Sequence, residues 1–438
     1  MSIQSIVEVE MSRHGVLHRR GFLRSMGIGA AGIAALNWMD LVTLQADDLR
    51  KKGMSCILLW MGGGPSQFET FDPKPSSENG GETKAIQTAV PGIAVAEHWP
   101  ETAKIMRDLA LIRSMTNKEG NHQRAAYQLH TGYLPSGSVK HPSFGSLVCN
   151  ELGDMNFDLP HFVSVQGAGG GGGMGPTQGA GFLGVEYEPF FVQDPNRPPN
   201  NATTSQSVSD KRFTRRLGIS KKLEEDFANA GAKVAVDDHQ TLYDKAAKMV
   251  LSPRIKAFDL SQESDAIRDR YGKNAFGQGC LLARRLVETG VTFVEVRSNG
   301  WDTHQQNFTR IPDMAKQVDP GFATLVTDLK ERGLLNRTLV VWMGEFGRTP
   351  RINPNAGRDH WPRSFNVALA GGRIRGGQVI GSTNADGTDI KDHPVSVQDL
   401  LCSFCQSLEI DPRRENTSPL GRPLKIVDGG SAVKELFA

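Results

Sequence analysis

Short apolar runs stopped by glycine or polar residues, with helical patterns between them, constrain this chain more than anything else in it. Such runs occupy 55–60, 109–114, 162–166, 291–297, 338–343 and 366–370. Most are rich in β-branched or other apolar residues and too short for helices, so they read as buried strands. Helical periodicity fills 99–109, 124–129, 209–230, 240–251, 278–289, 321–332 and 400–408. Strands alternating with helices predict an α/β fold. Its core would be a mostly parallel central sheet with helices on both faces. The glycine-dominated stretch 167–184 and the Pro/Asn/Ser/Thr-rich stretch 194–209 read as surface loops. With the helical segment that follows, they suggest an inserted subdomain over about 167–290.

The N-terminus has a different grammar. Arg19-Arg20-Gly21-Phe22-Leu23-Arg24 precedes a mildly apolar, Ala/Gly-rich stretch over 26–38. That order is a twin-arginine export signal, set apart from the fold. The expected division is a signal segment 1–46, cut near Ala46, and one domain over 47–438. Glu8 and Glu10 are out of place in a basic leader, so Met11 is a candidate start. The stretch is too short to span a bilayer comfortably, and no stable transmembrane span is expected after cleavage. The implied partner is the twin-arginine export machinery, and the implied location is periplasmic or extracellular. Cargo on that route crosses already folded, often around a metal.

A net charge of +2 without a basic stripe gives no footprint for nucleic acid. The five cysteines show no paired zinc pattern. Cys56, Cys149 and Cys280 lie in apolar runs, and Cys402 and Cys405 sit one turn apart in an apolar helical pattern, so all five read as packing residues. Gly169–Gly173 lacks the Lys-Ser/Thr ending of a phosphate-binding loop.

In an open α/β sheet, ligands gather at the carboxyl ends of the strands. Polar residues just past the strands are therefore the candidates. Asp302 and His304 follow the 291–297 strand two apart, so they point to one side of an extended segment. A carboxylate and an imidazole there make half of a Zn²⁺ or Mn²⁺ site. His360 is the candidate third ligand, leaving an open position as catalytic sites do. A surface loop with incidental polar residues is the competing account. His122 follows the second strand and serves either the site or its loop. Glu345 ends the 338–343 strand, where an acid is costly unless paired. Arg348 follows it as a candidate anion fork. Trp99, Trp301 and Trp361 are either sugar-stacking platforms or packing residues, and Asp392 is expected to open the last helix.

Several segments together resemble a known family: GGGPSQFETFDPKP (62–75), NGWDTH (299–304), MGEFGRTP (343–350), GRDHW (357–361) and AGGRIRGGQVIGSTNADG (370–387). They look like the alkaline phosphatase/sulfatase superfamily from residue 55 to about 410. More closely, they are similar to an exported branch of it known as domain of unknown function 1501. The resemblance implies two metal positions with a nucleophile between them. Asp302, His304 and His360 match the first position. The second departs from the pattern: Gly62-Gly63 stands where an acid is usual, and Glu345-Phe346 where an Asp-His pair is usual. No Ser, Thr or Cys stands at the nucleophile's place in 120–126, where His122 occurs instead.

These readings predict an exported, metal-dependent hydrolase-like protein holding one divalent cation, with the second position degraded. The substrate would be an anionic sulfate or phosphate ester, including esters of an extracellular polysaccharide. His122 would be nucleophile or ligand, Glu345 general base or a further ligand, and Arg348 the anion's anchor; water activated by the ion is the alternative nucleophile. A non-catalytic cell-surface binding protein with a degraded cleft is the competing class. Fe(II) chemistry is a third, since two histidines and one carboxylate suit that ion too.

Overall fold

The computed structural model describes residues 53–154, 156–166, 178–200, 202 and 208–437. The twin-arginine run and residues 167–177 of the glycine-dominated stretch lie outside these. Among the described residues, eight strands form the main sheet: β1 (Ser55–Gly62), β2 (Leu109–Met115), β3 (Phe162–Val165), β4 (Phe190–Val192), β5 (Phe293–Asn299), β6 (Thr338–Met343), β7 (Phe365–Ala370) and β8 (Gln378–Ile380). Their order is β8-β2-β7-β6-β1-β5-β3-β4. β1 lies between β5 and β6, with Ile57 opposite both Val294 and Val340 in parallel register. Every residue of β1 is buried, as befits a strand covered on both faces.

All pairings in this sheet are parallel except those of β7, which runs antiparallel to β2 and β6. This exception has a consequence for the site. The parallel strands β1, β2, β5 and β6 deliver their carboxyl ends to one edge of the sheet. Because β7 runs the other way, the segment entering it arrives at that same edge. His360 lies five residues before β7 begins.

The larger helices are α1 (His122–Thr131), α2 (Phe144–Leu152), α3 (Asp210–Phe227), α4 (Lys233–Leu251), α5 (Ala275–Thr289), α6 (Asn307–Glu331) and α7 (Val397–Ser407). No described helix is long and apolar enough to cross a membrane. Three helices depart from the sequence expectation. α6 begins at Asn307 rather than near 321, running through Pro312 and Pro320. Prolines usually stop helices, but Ile311, Ala315, Val318, Phe322, Leu325 and Leu329 keep one apolar stripe buried along its length. α2 is nearly all buried and so lacks the amphipathic period that reveals a helix. The last helix begins at Val397 with Ser396 and Asp399 forming a capping box, so Asp392 does not open it.

All five cysteines are buried and free. Trp99, Trp301 and Trp342 pack with Phe71, with Trp99 and Trp301 stacked at 6.2 Å and Phe71 edge-on to Trp342 at 4.8 Å. Trp99 and Trp301 are fully buried, so neither is a platform for a sugar. Trp301 instead anchors the turn that carries Asp302.

Candidate metal centre

Two glycines directly after β1 let two other loops come close. A Cβ on Gly63, whose φ is +120°, would sit 2.4 Å from the Asp302 backbone nitrogen, and one on Gly64 (φ +69°) 2.7 Å from the Phe346 ring. Both separations are far inside van der Waals contact, and both backbones favour glycine. Where the resembling family carries an acid, this chain therefore has a backbone on which the 301–302 and 345–348 loops pack. The Gly63 N–H also donates to Glu345, at 2.9 Å to Oε1 and 3.3 Å to Oε2.

Asp302 is the hub. Its Oδ1 lies 3.4 Å from His122 Nε2, 3.1 Å from His304 Nε2 and 3.4 Å from His360 Nε2. The Nε2 atoms of His304 and His360 are 2.9 Å apart. His122, Asp302 and His360 form a mutually close donor set, each offering an atom within 4.8 Å of the others. His304 forms a second triad on the same Asp302–His360 pair.

Each imidazole is held from behind. His122 Nδ1 bonds Glu345 Oε1 at 2.6 Å, His304 Nδ1 bonds Asp359 Oδ1 at 2.8 Å, and His360 Nδ1 bonds the Gly120 carbonyl at 2.8 Å. A carbonyl and two carboxylates can only accept, so each Nδ1 carries a proton and donates it. For a neutral ring, the lone pair is then on Nε2, the atom that faces Asp302. His122 Nε2 is buried and has no hydrogen-bond partner. Converging lone pairs beside a carboxylate oxygen repel one another unless a proton or cation lies among them.

That donor chemistry fits a divalent cation. Bonds of roughly 2.0–2.2 Å place neighbouring donors about 3.3–3.6 Å apart round a tetrahedral ion, close to the spacings on Asp302 Oδ1. Carboxylate or carbonyl acceptors behind ligating histidines are the usual outer support of such ions.

The charges are set by the same contacts. Burial alone would raise the Asp302 carboxyl, but the nearby His122 ring and the bonds from His360 and Arg348 outweigh it and hold the group well below the ordinary carboxylate range. Burial disfavours the His122 cation, yet the nearby Asp302 carboxylate and the bond to Glu345 prevail and push the ring up to about 9. The bond from His304 holds the Asp359 carboxyl below its ordinary value.

Two expected site residues stand differently from the sequence reading. Arg348 was to grip an anion, but its guanidinium is fully buried and its donors are spent on the protein. It donates to Asp302 Oδ1 at 2.6 Å, to the Gly64 carbonyl at 2.8 Å, to the Arg358 carbonyl at 3.1 Å and to the Gly63 carbonyl. Its geometry suits holding Asp302 against the glycine loop. Glu345 is also buried and lies behind His122 rather than open to the cleft. Three partners were missed from sequence: Asp359, the Gly120 carbonyl and the buried Glu69–Arg358 pair at 2.8 Å. An acid directly beside His360 was the available signal for Asp359. The other two carry none, since a carbonyl is common to every residue and Glu69 lies 289 positions from Arg358.

The chain is similar in layout to several solved structures. One is a sulfatase from Pseudoalteromonas sp., 15% identical, with 85% of this chain and 71% of that chain covered and a TM-score of 0.37. Another is the lipoteichoic acid synthase LtaP from Listeria monocytogenes, 9% identical, 88% and 80% covered, TM-score 0.39. A third is an alkaline phosphatase superfamily protein from Vibrio parahaemolyticus, 11% identical, 82% and 67% covered, TM-score 0.36. No curated protein matches the chain. Residues 54–437 match the family described as protein of unknown function DUF1501, and the chain belongs to that family.

Proposed function

We propose that this protein is an exported, metal-dependent hydrolase of sulfate or phosphate esters, including esters on extracellular polysaccharide. The carrying observation is the convergence of three histidine Nε2 atoms on Asp302 Oδ1, each ring braced through Nδ1. Asp302, His304 and His360 hold the ion, and His122 flanks it. A bound divalent ion such as Zn²⁺ or Mn²⁺ supplies Lewis acidity toward an ester oxygen and toward water.

The chain's own residues do the rest. Arg348 fixes Asp302 in place by donating to Oδ1, the same oxygen that faces the histidines. Glu345 holds the His122 proton on Nδ1, keeping Nε2 available to accept a proton or attack an ester. Asp359 likewise holds the His304 proton on Nδ1, which leaves Nε2 as the atom that would bind the ion. The chain divides into a signal segment 1–46 and a hydrolase-like domain over 47–438, with an inserted region at about 167–290. Twin-arginine export places it in the periplasm or outside the cell.

One observation favours a second reading. His122, not a hydroxyl or thiol, begins α1 at the site, which suits a binding protein that retains the cleft. Elemental analysis of protein purified after native export, then a screen of sulfate and phosphate esters with the ion found, separates the two. A stoichiometric ion with turnover that disappears in His360→Ala supports the hydrolase. An ion without turnover on any ester supports the binding protein, and no ion at all overturns the metal-dependent hydrolase.

A further inference from the structure

Helix α3 spans 18 residues and has no buried residue. It packs chiefly on α4, joined to it through the tight turn Ala228–Ala232, where Gly231 takes φ 105°. On its outer side, Ile219, Leu223 and Phe227 recur at i, i+4 and i+8, one continuous stripe. Leu223 is 73% exposed and Phe227 70%, and just past the turn Val234 is 76% exposed. Leu223, Phe227 and Val234, all within a few residues of the turn, thus stand without cover from the fold. Scattered exposed apolar residues need no explanation, but a contiguous cluster marks a contact surface.

The charges around the stripe identify what it contacts. Residues 210–222 hold six Lys or Arg and one acid. Arg212, Arg215 and Arg216 lie one to two turns before Ile219 on the same exposed face, with Asp226 the acid among the stripe residues. Glu224 is turned the other way and pairs with His239 on α4 at 2.7 Å, and Lys221 pairs with Asp244 at 2.7 Å. The inner face therefore uses its charges in mutual pairs, while the outer face presents Arg212, Arg215 and Arg216 behind the apolar side chains, with Glu225 and Asp226 the exposed acids nearer the tip. That combination suits a bilayer surface rich in anionic phospholipid, with the tip among the acyl chains and the arginines at the phosphates. A protein surface would complement the apolar tip without needing the cations.

We infer that the α3–α4 hairpin docks this protein on anionic membranes through Leu223, Phe227 and Val234. The test is sedimentation of the full chain with phosphatidylglycerol-containing vesicles and with pure phosphatidylcholine vesicles. Binding to the anionic vesicles alone, weakening as salt rises, is expected. Leu223→Glu with Phe227→Glu should weaken it roughly a hundredfold or more, from the apolar burial lost. Arg215→Glu with Arg216→Glu should remove most of the salt dependence. Both variants alter exposed positions, so unchanged circular dichroism is expected. A fluorophore on Leu223→Cys should shift to the blue on anionic vesicles only. Binding equal to the parent in the glutamate variant, or no blue shift, overturns the inference. So does a dimer that dissociates on Leu223→Glu, which would make the occupant a second copy of this chain.

Discussion

Replacing Glu345 by glutamine tests the site's logic with a change of one atom. In the native arrangement, the carboxylate accepts from His122 Nδ1 at 2.6 Å and from the Gly63 N–H at 2.9 and 3.3 Å, and it is fully buried. Glutamine keeps the shape but turns one acceptor into a donor. If the new NH₂ faces His122, Nδ1 must give up its proton, and the ring then carries it on Nε2, pointing at Asp302 and any cation. If the NH₂ turns away, Oε1 still accepts from His122 and Gly63, but the new donor stands 3.3 Å from the Gly63 nitrogen, at a cost of up to about 1–3 kcal/mol. Either outcome weakens the site. Loss of an outer partner to a metal-binding histidine typically costs roughly 10–100-fold in ion affinity, or about 1.4–2.8 kcal/mol. The assay is competition with a chelator for Zn²⁺, alongside ¹⁵N chemical shifts of the His122 ring. Native ion affinity in Glu345→Gln, with the proton still on Nδ1, would show that Glu345 does not position His122.

Three further outcomes follow from the geometry. His360 belongs to both triads and His304 to one, so calorimetry should show a larger loss of ion affinity in His360→Ala than in His304→Ala. In ion-free protein, His122 is raised from 6.5 to about 9. Its contribution, about 1–2 kcal/mol after solvent screening, is full below about pH 6.5 and lost as pH rises through about 9. Urea unfolding of the ion-free protein should show that decline, His122→Gln should flatten it, and ion binding between those pH values should release a proton. Glu69 and Arg358 form a fully buried pair, so Glu69→Gln, which strands the guanidinium, should cost about 3–5 kcal/mol, read as a lower melting temperature and weaker ion binding at the adjacent His360.

How far the sequence reaches depends on whether a residue acts through neighbours near in the chain. Asp302 and His304 were legible because they leave one strand two residues apart, and alternation alone puts them on one side. His360 was legible as a candidate by residue type, but its route was not: it reaches the sheet's edge because β7 runs antiparallel, and strand direction leaves no mark in a short apolar run. Arg348 shows the opposite case. Its position after β6 was readable, yet nothing local said that its guanidinium would be absorbed by the carbonyls of Gly63, Gly64 and Arg358. The glycines after β1 were read as the loss of a metal ligand. In the structure they are what lets Asp302 and Phe346 approach, because a Cβ at 63 or 64 would overlap both loops. That difference matters chemically. A site that had merely lost ligands would leave its remaining histidines without braces behind them, whereas here each Nδ1 has an acceptor and each Nε2 faces Asp302. Supports of that kind hold imidazole lone pairs together against their mutual repulsion, which a proton or a cation lying among them relieves.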